Sequence, residues 1–212
     1  MKTIKTFFVS FVFLCLGLVP ISAMGQSLPH TFSANTAAKA SEVNENFKYL
    51  LERFGTRKTT VNCYSGDSIT TALQNYNHII ISGICNEILH LEATSMPHRL
   101  VILEGSSSSS DGINANGVSP PQTESSYTSN AVVYAHGSIT IKISKLKLTG
   151  GTYGVESYLG PSVIIENALI ENNTNSGIAV WGDTGGWIKN STIQNNGEHA
   201  IISGWSSDVN IT

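Results

Sequence analysis

An interval of 22 to 23 residues recurs in the second half of this 212-residue chain. Four isoleucines mark it: Ile143, Ile165, Ile188 and Ile211. Each interval contains a short β-strand, an asparagine-rich turn, a glycine or alanine, and a further short strand. A unit of this size cannot bury its apolar face alone, so successive units must stack and pair their strands in parallel. The unit itself supplies the crossover that parallel strands need.

The repeat therefore predicts an all-β fold, a right-handed parallel β-helix, and is clearest from Ile139 to Thr212. Asparagine suits its turns for two reasons. It tolerates the left-handed backbone of a tight corner, and stacked amides hydrogen-bond from one coil to the next. Asn167 recurs as Asn190, and the pair 172–173 recurs as 195–196.

The first 25 residues are typical of a secretory signal peptide. Two lysines within residues 1–5 precede an apolar stretch from Phe7 to Val19, and small residues lead to Gly25. We therefore predict that the chain is secreted or periplasmic after cleavage near Gly25, and that the mature chain has no transmembrane segment.

Two helices are predicted near the N-terminal end of the coils. The first lies within an N-terminal helical segment at 26–58, and the second lies at the start of the domain that follows. The helix at 37–54 has one apolar stripe, and it either packs on the first coil or forms a coiled-coil seam between chains. A short helix at 68–76, capped by Asp67 or Ser68, would cover the open end of the stack. The β-helix domain then occupies 59–212.

Two further features of that domain are expected from composition. Residues 105–130 are rich in serine, glycine, asparagine and proline, which predicts a flexible surface loop. The last coil is incomplete at Thr212, so either the natural product is truncated or another chain covers this end. Oligomerisation is accordingly predicted through helix 37–54 or through the C-terminal end.

Cys63 and Cys85 remain after removal of the signal peptide. An even pair in an exported chain most often forms a disulfide. Their spacing of 22 residues is about one coil, and neighbouring strands lie about 4.8 Å apart, so the two cysteines would be within disulfide reach. The alternative is a pair of buried free thiols.

The sequence also resembles a known group of proteins. The stretch 60–105, with VNC, GDSITTAL, IIISGICNE and LVILEG, is similar to the N-terminal part of secreted right-handed β-helix proteins of the pectin-lyase-like superfamily. IIENALIENNTNSGIAV resembles their generic coils, and ASEVNENF resembles a helix that precedes such domains. This resemblance implies the fold and leaves the activity open.

The resemblance brings no catalytic site with it. Superfamily members that cleave acidic polysaccharides use calcium-binding acidic clusters with a basic residue, or several aspartates. The aspartates here are scattered: Asp67, Asp111, Asp183 and Asp208. Catalytic residues are therefore left unassigned, no metal site or cofactor is predicted, and calcium would be expected only for a lyase.

The distribution of charged residues argues against nucleic-acid binding and provides a test for an enzyme. The formal net charge is −3 with three arginines, so no basic stripe is available to bind nucleic acid. Glu166 aligns one coil from Lys189, which predicts an exposed ion pair. Lys142, Lys145 and Lys147 form the one plausible basic cluster, and an enzyme is favoured if they face a groove with Glu166 or Asp183.

Aromatic residues suggest a ligand. Tyr158, Trp181 and Trp205 follow equivalent strands of three consecutive coils, within one residue of register. Such a column would let sugar rings stack, although it could equally cover an apolar edge. We therefore expect a non-catalytic carbohydrate-binding, cell-surface-binding or structural module. The alternative is a polysaccharide lyase or glycoside hydrolase, possibly truncated.

Overall fold

The computed structural model describes residue 39 and residues 56–97, 99–106, 110–121 and 129–212. The chain divides into two compact units, Met1–Arg53 and Phe54–Thr212, and every element below lies in the second. The predicted signal peptide and the predicted helix at 37–54 lie outside the described residues, apart from Lys39. No helix in the described part of the chain is long and apolar enough to cross a membrane.

The second unit is a parallel β-solenoid of about six turns with almost no helix. Its strands form three parallel sheets, and from β2 onward each coil visits the first, second and third sheet in turn. The first sheet contains β1 (Lys58–Asn62), β2 (His78–Ser82), β5 (Leu100–Gly105), β8 (Thr140–Ser144), β11 (Ser162–Glu166), β14 (Gly185–Lys189) and β17 (Asp208–Ile211). The second contains β3 (Ile84–Cys85), β6 (Gly112–Asn114), β9 (Lys147–Thr149), β12 (Leu169–Glu171) and β15 (Thr192–Gln194). The third contains β4 (Leu89–Glu92), β7 (Val133–His136), β10 (Val155–Tyr158), β13 (Ile178–Trp181) and β16 (Ile201–Gly204).

The recurring isoleucines are stacked as the repeat predicts. Ile143 pairs with Ile165, Ile165 with Ile188, and Ile188 with Ile211 along the first sheet. The first two are fully buried and Ile188 is nearly so, because alternate residues of each strand point into the coil. Burying one such side chain stabilises the fold by about 1.5 to 3 kcal/mol, so the column is a main source of stability.

The asparagine corners are also confirmed. Asn167 and Asn190 have φ of 52° and 48° at the corner between the first and second sheets, where Lys145 has φ of 53°. Asn172 and Asn195, at the next corner, have φ of 56° and 52°. These left-handed values explain why asparagine recurs at the interval of one coil.

The first coil is closed by a helix shorter than predicted. Helix α1 (Ile69–Ala72) begins at Ser68, whose hydroxyl accepts from the Thr71 amide, so Ser68 is the N-cap. The carboxylate of Glu87 accepts from the Ile69 and Thr70 amides at 2.8 and 3.1 Å and adds a second cap. Ile69 is buried in the core, which seats the helix on the coil.

The two cysteines form the predicted disulfide. Cys63 lies in a 3₁₀ turn (Cys63–Ser65) and Cys85 in β3, with their Cα atoms 4.9 Å apart. By the chain-entropy relation, closing this loop contributes about 3 kcal/mol.

One sequence-based prediction was wrong in part. Residues 112–114, inside the predicted flexible loop at 105–130, form β6 and pair with both β3 and β9. Ile113 is fully buried there, so the coil continues through a stretch whose composition indicates a loop. One buried apolar residue is enough to hold this three-residue strand in the coil. The composition of the whole stretch does not reveal a single residue of that kind.

Candidate functional site

The outer face of the third sheet carries two columns of side chains. The first column is His90, Tyr134, Glu156, Ala179 and Ile202. The second is Glu92, His136, Tyr158, Trp181 and Gly204. Both follow from the alternation of strand residues, since the intervening residues point into the core.

Rings from both columns form a continuous series, which we name the ring band. It runs His90, Tyr134, His136, Tyr158, Trp205 and Trp181. Successive ring centroids are 5.1 to 6.3 Å apart, within the range of favourable aromatic contact. Exposure differs along the band: Tyr134 is 2% exposed, and Trp205 is 66% exposed.

The three aromatic residues singled out from the sequence are brought together. Tyr158 pairs directly with Trp181, and Trp181 pairs with Gly204, so Trp205 lies one residue beyond register. The Trp205 ring contacts Tyr158 at 5.9 Å and Trp181 at 5.8 Å. The indole thus reaches back over the rung that separates it from Tyr158.

Gly204 makes room for the Trp181 indole. A Cβ at that position would meet two carbons of the indole at 2.9 and 3.0 Å, closer than real Cβ contacts. On the first sheet Gly185 lies two residues before Trp187 on the same strand, and a Cβ at Gly185 would approach the Trp187 ring at 3.1 Å.

Trp205 occupies a corner that suits glycine better. Its φ is 54°, in the left-handed region, and the equivalent corner positions of other coils hold Gly137, Leu159 and Gly182. A large side chain in this conformation costs on the order of 1 kcal/mol. The side chain is mostly exposed, so packing in the core does not explain its presence.

The inner end of the ring band is held by hydrogen bonds. His90 Nε2 lies 2.8 Å from the Ser129 carbonyl oxygen and must carry the proton, since a carbonyl only accepts. Its Nδ1 is buried and has no hydrogen-bond partner. The Ser129 hydroxyl donates to Glu156 and accepts from the Ala131 amide at 3.0 Å.

Two carboxylates act on Tyr134 from this face. Burial raises the pKa of Tyr134, and the charges of Glu156 and Glu92 raise it further. Burial also raises the pKa of Tyr153, with contributions from Glu156 and Glu198. Both tyrosines therefore remain neutral hydroxyls near pH 7, able to donate hydrogen bonds.

The predicted basic cluster does not face one groove. Lys142 pairs with Glu166 at 2.7 Å on the first sheet, and Lys147 pairs with Glu171 at 2.7 Å on the second. Lys145, at the corner between them, pairs with Glu104 at 2.9 Å. Each lysine thus neutralises a carboxylate on another coil.

Glu166 and Lys189 are register partners, as the sequence predicts, but the predicted ion pair between them does not form. The two residues are neighbours on adjacent strands, but the carboxylate is bonded to Lys142, two residues off direct register on the other side. Long side chains reach such diagonal neighbours, and sequence alignment alone does not rank them.

His90, Tyr134 and His136 were missed by reasoning from sequence. They lie on β4 and β7, which are separated by the stretch read as a loop, so no repeat interval connects them. The signal that could have found them is the alternation of strand residues in LHLE and VYAH. Glu198 and His199 lie together in an exposed turn, 3.9 Å apart.

Within the described residues, no group of three or more histidine, cysteine, aspartate or glutamate side chains is arranged to hold a metal ion. The part of the ring band that is exposed to a ligand is its Trp205 end, where Tyr158 and Trp181 are half-buried, whereas Tyr134 and Glu156 are buried.

A family model described as "right handed beta helix region" matches residues 129–212. The chain contains a right-handed β-helix. The match covers β7 and every later strand, including four of the five third-sheet strands. This β-helix is consistent with the pectin-lyase-like superfamily that the sequence resembles. No curated protein matches the chain, and no solved structure matches it.

Proposed function

We propose that this β-helix is a non-catalytic, exported module that binds a polysaccharide along the ring band of its third sheet. The observation that carries the proposal is Trp205. It is 66% exposed, adopts a left-handed φ that disfavours it, and contacts both Tyr158 and Trp181. Sugar rings bind aromatic faces of this kind, because their C–H faces pack on the flat π-surface.

Export is supported by the disulfide. Bonds such as Cys63–Cys85 form and persist in oxidising compartments outside the cytosol. Mass measurement of the chain recovered from outside the producing cells tests this part of the proposal. A mature chain that begins near Gln26 supports it, and recovery of the whole chain from the cytosol contradicts it.

The binding test is a polysaccharide panel read by affinity electrophoresis and by calorimetry. Replacing Trp181 or Trp205 by alanine should weaken binding roughly two- to ten-fold each, from the usual worth of an aromatic contact. Trp187→Ala is the matched control, since this tryptophan is 48% exposed on a different sheet. Equal loss in the control and the test variants would contradict the proposal.

A glycine pair refines the same experiment. Gly204→Ala should displace the Trp181 indole and weaken binding, because the new methyl group occupies the position over which the ring lies. Gly185→Ala also adds a methyl group close to a tryptophan ring, that of Trp187 on the first sheet at 3.1 Å, and should leave binding unchanged.

A second candidate function is polysaccharide cleavage. It is favoured by the resemblance to a superfamily that contains such enzymes, and the acids to test on the third sheet are Glu92 and Glu156, which are 9% and 2% exposed. Paired carboxylates are the usual groups for glycosidic acid–base chemistry. The panel should therefore also be read for release of reducing or unsaturated ends.

Turnover that is lost in Glu92→Gln and Glu156→Gln but kept in Glu171→Gln, which lies on the second sheet, would support cleavage. Such turnover would overturn the non-catalytic proposal.

A further inference from the structure

The coils that carry Trp181 and Trp205 are acidic. From residue 148 to the C-terminus there is one basic residue, Lys189, against six acids: Glu156, Glu166, Glu171, Asp183, Glu198 and Asp208. Two of the acids are neutralised on other sheets, where Glu166 pairs with Lys142 and Glu171 with Lys147.

Three exposed acids flank the exposed end of the ring band. Asp183 follows Trp181 by two residues, and its amide donates to the Trp205 carbonyl at 3.1 Å. Asp208 follows Trp205 by three residues, at the start of β17 on the first sheet, where it is the register partner of Gly185 on the adjacent strand β14. Glu198 precedes β16 on the opposite side of the sheet.

Positive charge lies elsewhere in the described β-helix. The five strands of the third sheet contain no lysine or arginine. Lys189 lies on the first sheet beside Glu166. Arg99 lies on the corner that precedes β5, four rungs from the coil of Trp205, and donates to the carbonyls of Ala93 and Ser138.

From this arrangement we infer that the Trp181–Trp205 end of the ring band selects a cationic amino-polysaccharide, one whose sugars carry free amines. The inference rests on the proposed binding function and adds a substrate class to it. Ammonium groups are attracted both to exposed carboxylates and to the faces of tryptophan rings. Uronic-acid polymers are disfavoured, because their carboxylates would meet Asp183, Glu198 and, at the start of the adjoining first-sheet strand, Asp208, and the five described strands of the third sheet contain no lysine or arginine.

The experiment compares three soluble probes on the full chain: glucosamine oligomers, the same oligomers fully N-acetylated, and oligogalacturonate. At low salt the glucosamine oligomer should bind several-fold more tightly than its acetylated form, and oligogalacturonate should bind most weakly. The preference should shrink at high salt, since the screening length falls from about 10 Å at 0.1 M to about 3 Å at 1 M.

Variants assign the preference to residues. Asp183→Asn and Asp208→Asn should each weaken glucosamine binding roughly two- to five-fold, the range for exposed charge pairs, and leave binding of the acetylated oligomer unchanged. Asparagine is well tolerated at the left-handed φ of 54° found at Asp183, so the fold is preserved. Glu171→Gln is the control, as its carboxylate lies on the second sheet.

The outcomes separate the two proposals. Equal affinity for the three probes, or tighter binding of oligogalacturonate, together with loss in Trp205→Ala, overturns the charge selection and leaves glycan binding standing. Absence of any binding, or binding that Trp181→Ala and Trp205→Ala do not change, overturns both.

Discussion

Asn173 connects three consecutive coils through its side-chain amide. Its Oδ1 accepts from the Gly151 amide at 3.1 Å, and its Nδ2 donates to Asn196 Oδ1 at 3.0 Å and to the Glu171 carbonyl at 3.3 Å. The side chain is 2% exposed, so these partners replace water completely. The asparagine ladder expected from the repeat is therefore present, and at this position it is buried.

Replacing Asn173 by alanine should lower the free energy of unfolding by about 1 to 3 kcal/mol, because the Gly151 amide and Asn196 amide oxygen lose a buried partner. Urea denaturation followed by circular dichroism measures the change. Thr174→Ala, at the exposed neighbouring position, should change the stability by less than about 0.5 kcal/mol. A similar loss in both variants would show that the ladder does not carry the effect.

Between strands, the outer faces of the sheets are joined by ion pairs that cross from one coil to another. Lysine partners lower the pKa of Glu104, Glu166 and Glu171, mainly through the hydrogen bonds from Lys145, Lys142 and Lys147 respectively. The lysine side chains of the three pairs are 34 to 47% exposed to solvent, so each pair contributes only about 0.2 to 1 kcal/mol. Their shared role is to link β5, β8, β9, β11 and β12 across coils.

The sign of the pH dependence follows from these lowered pKa values. A carboxylate that titrates lower in the folded state than in the unfolded state stabilises the fold above its ordinary pKa of 4.5. That contribution is lost as the pH falls from about 4.5 through the lower folded-state pKa. We expect the three pairs together to account for a decrease of about 0.6 to 3 kcal/mol in unfolding free energy at acid pH.

Urea midpoints measured between pH 7 and pH 3 test this, in the wild type and in Glu171→Gln. The variant should show a shallower dependence on pH. Glu198→Gln, which removes an exposed carboxylate with no lysine partner in the described structure, is the control. A slope in Glu171→Gln equal to that of the wild type would contradict the assignment.

For the whole β-helix, stability comes from stacking each coil on its neighbours. Ile165 is fully buried between Ile143 and Ile188, whereas Ile211, in the same column, is 66% exposed. Contacts in a solenoid are made almost entirely between adjacent repeats. The contribution of an isoleucine to the free energy of unfolding therefore depends on whether neighbouring coils cover it on both sides.

Ile165→Ala should destabilise the β-helix by about 2 to 5 kcal/mol, the range for a buried large-to-small change with a residual cavity. Ile211→Ala removes the same atoms from an exposed position and should cost less than about 0.5 kcal/mol. Thermal and urea unfolding of both variants provides the measurement. Comparable losses would mean that the column is not packed as described.

Local periodicity was sufficient to predict the coils. The isoleucine column, the left-handed asparagine corners and the Cys63–Cys85 bond all repeat at the length of one coil. Such features depend only on which face of a strand points inward and on which residue tolerates a corner. Both properties can be predicted from residue type and spacing.

The site needed the folded structure. β6 lies within the stretch whose composition indicates a loop, and that stretch separates β4 from β7, so the sequence did not align His90 with Tyr134. Likewise, two lysines lie near Glu166, and only their side-chain paths select Lys142.

The sequence by itself determined the coil, its inward residues and its disulfide, because each is set by a repeating local pattern. Only the tertiary structure decided that rings from five rungs meet in one band and that Trp205 reaches back to Tyr158. Contacts of that kind depend on the directions of side chains on neighbouring coils, and these directions are fixed only when the coils are stacked.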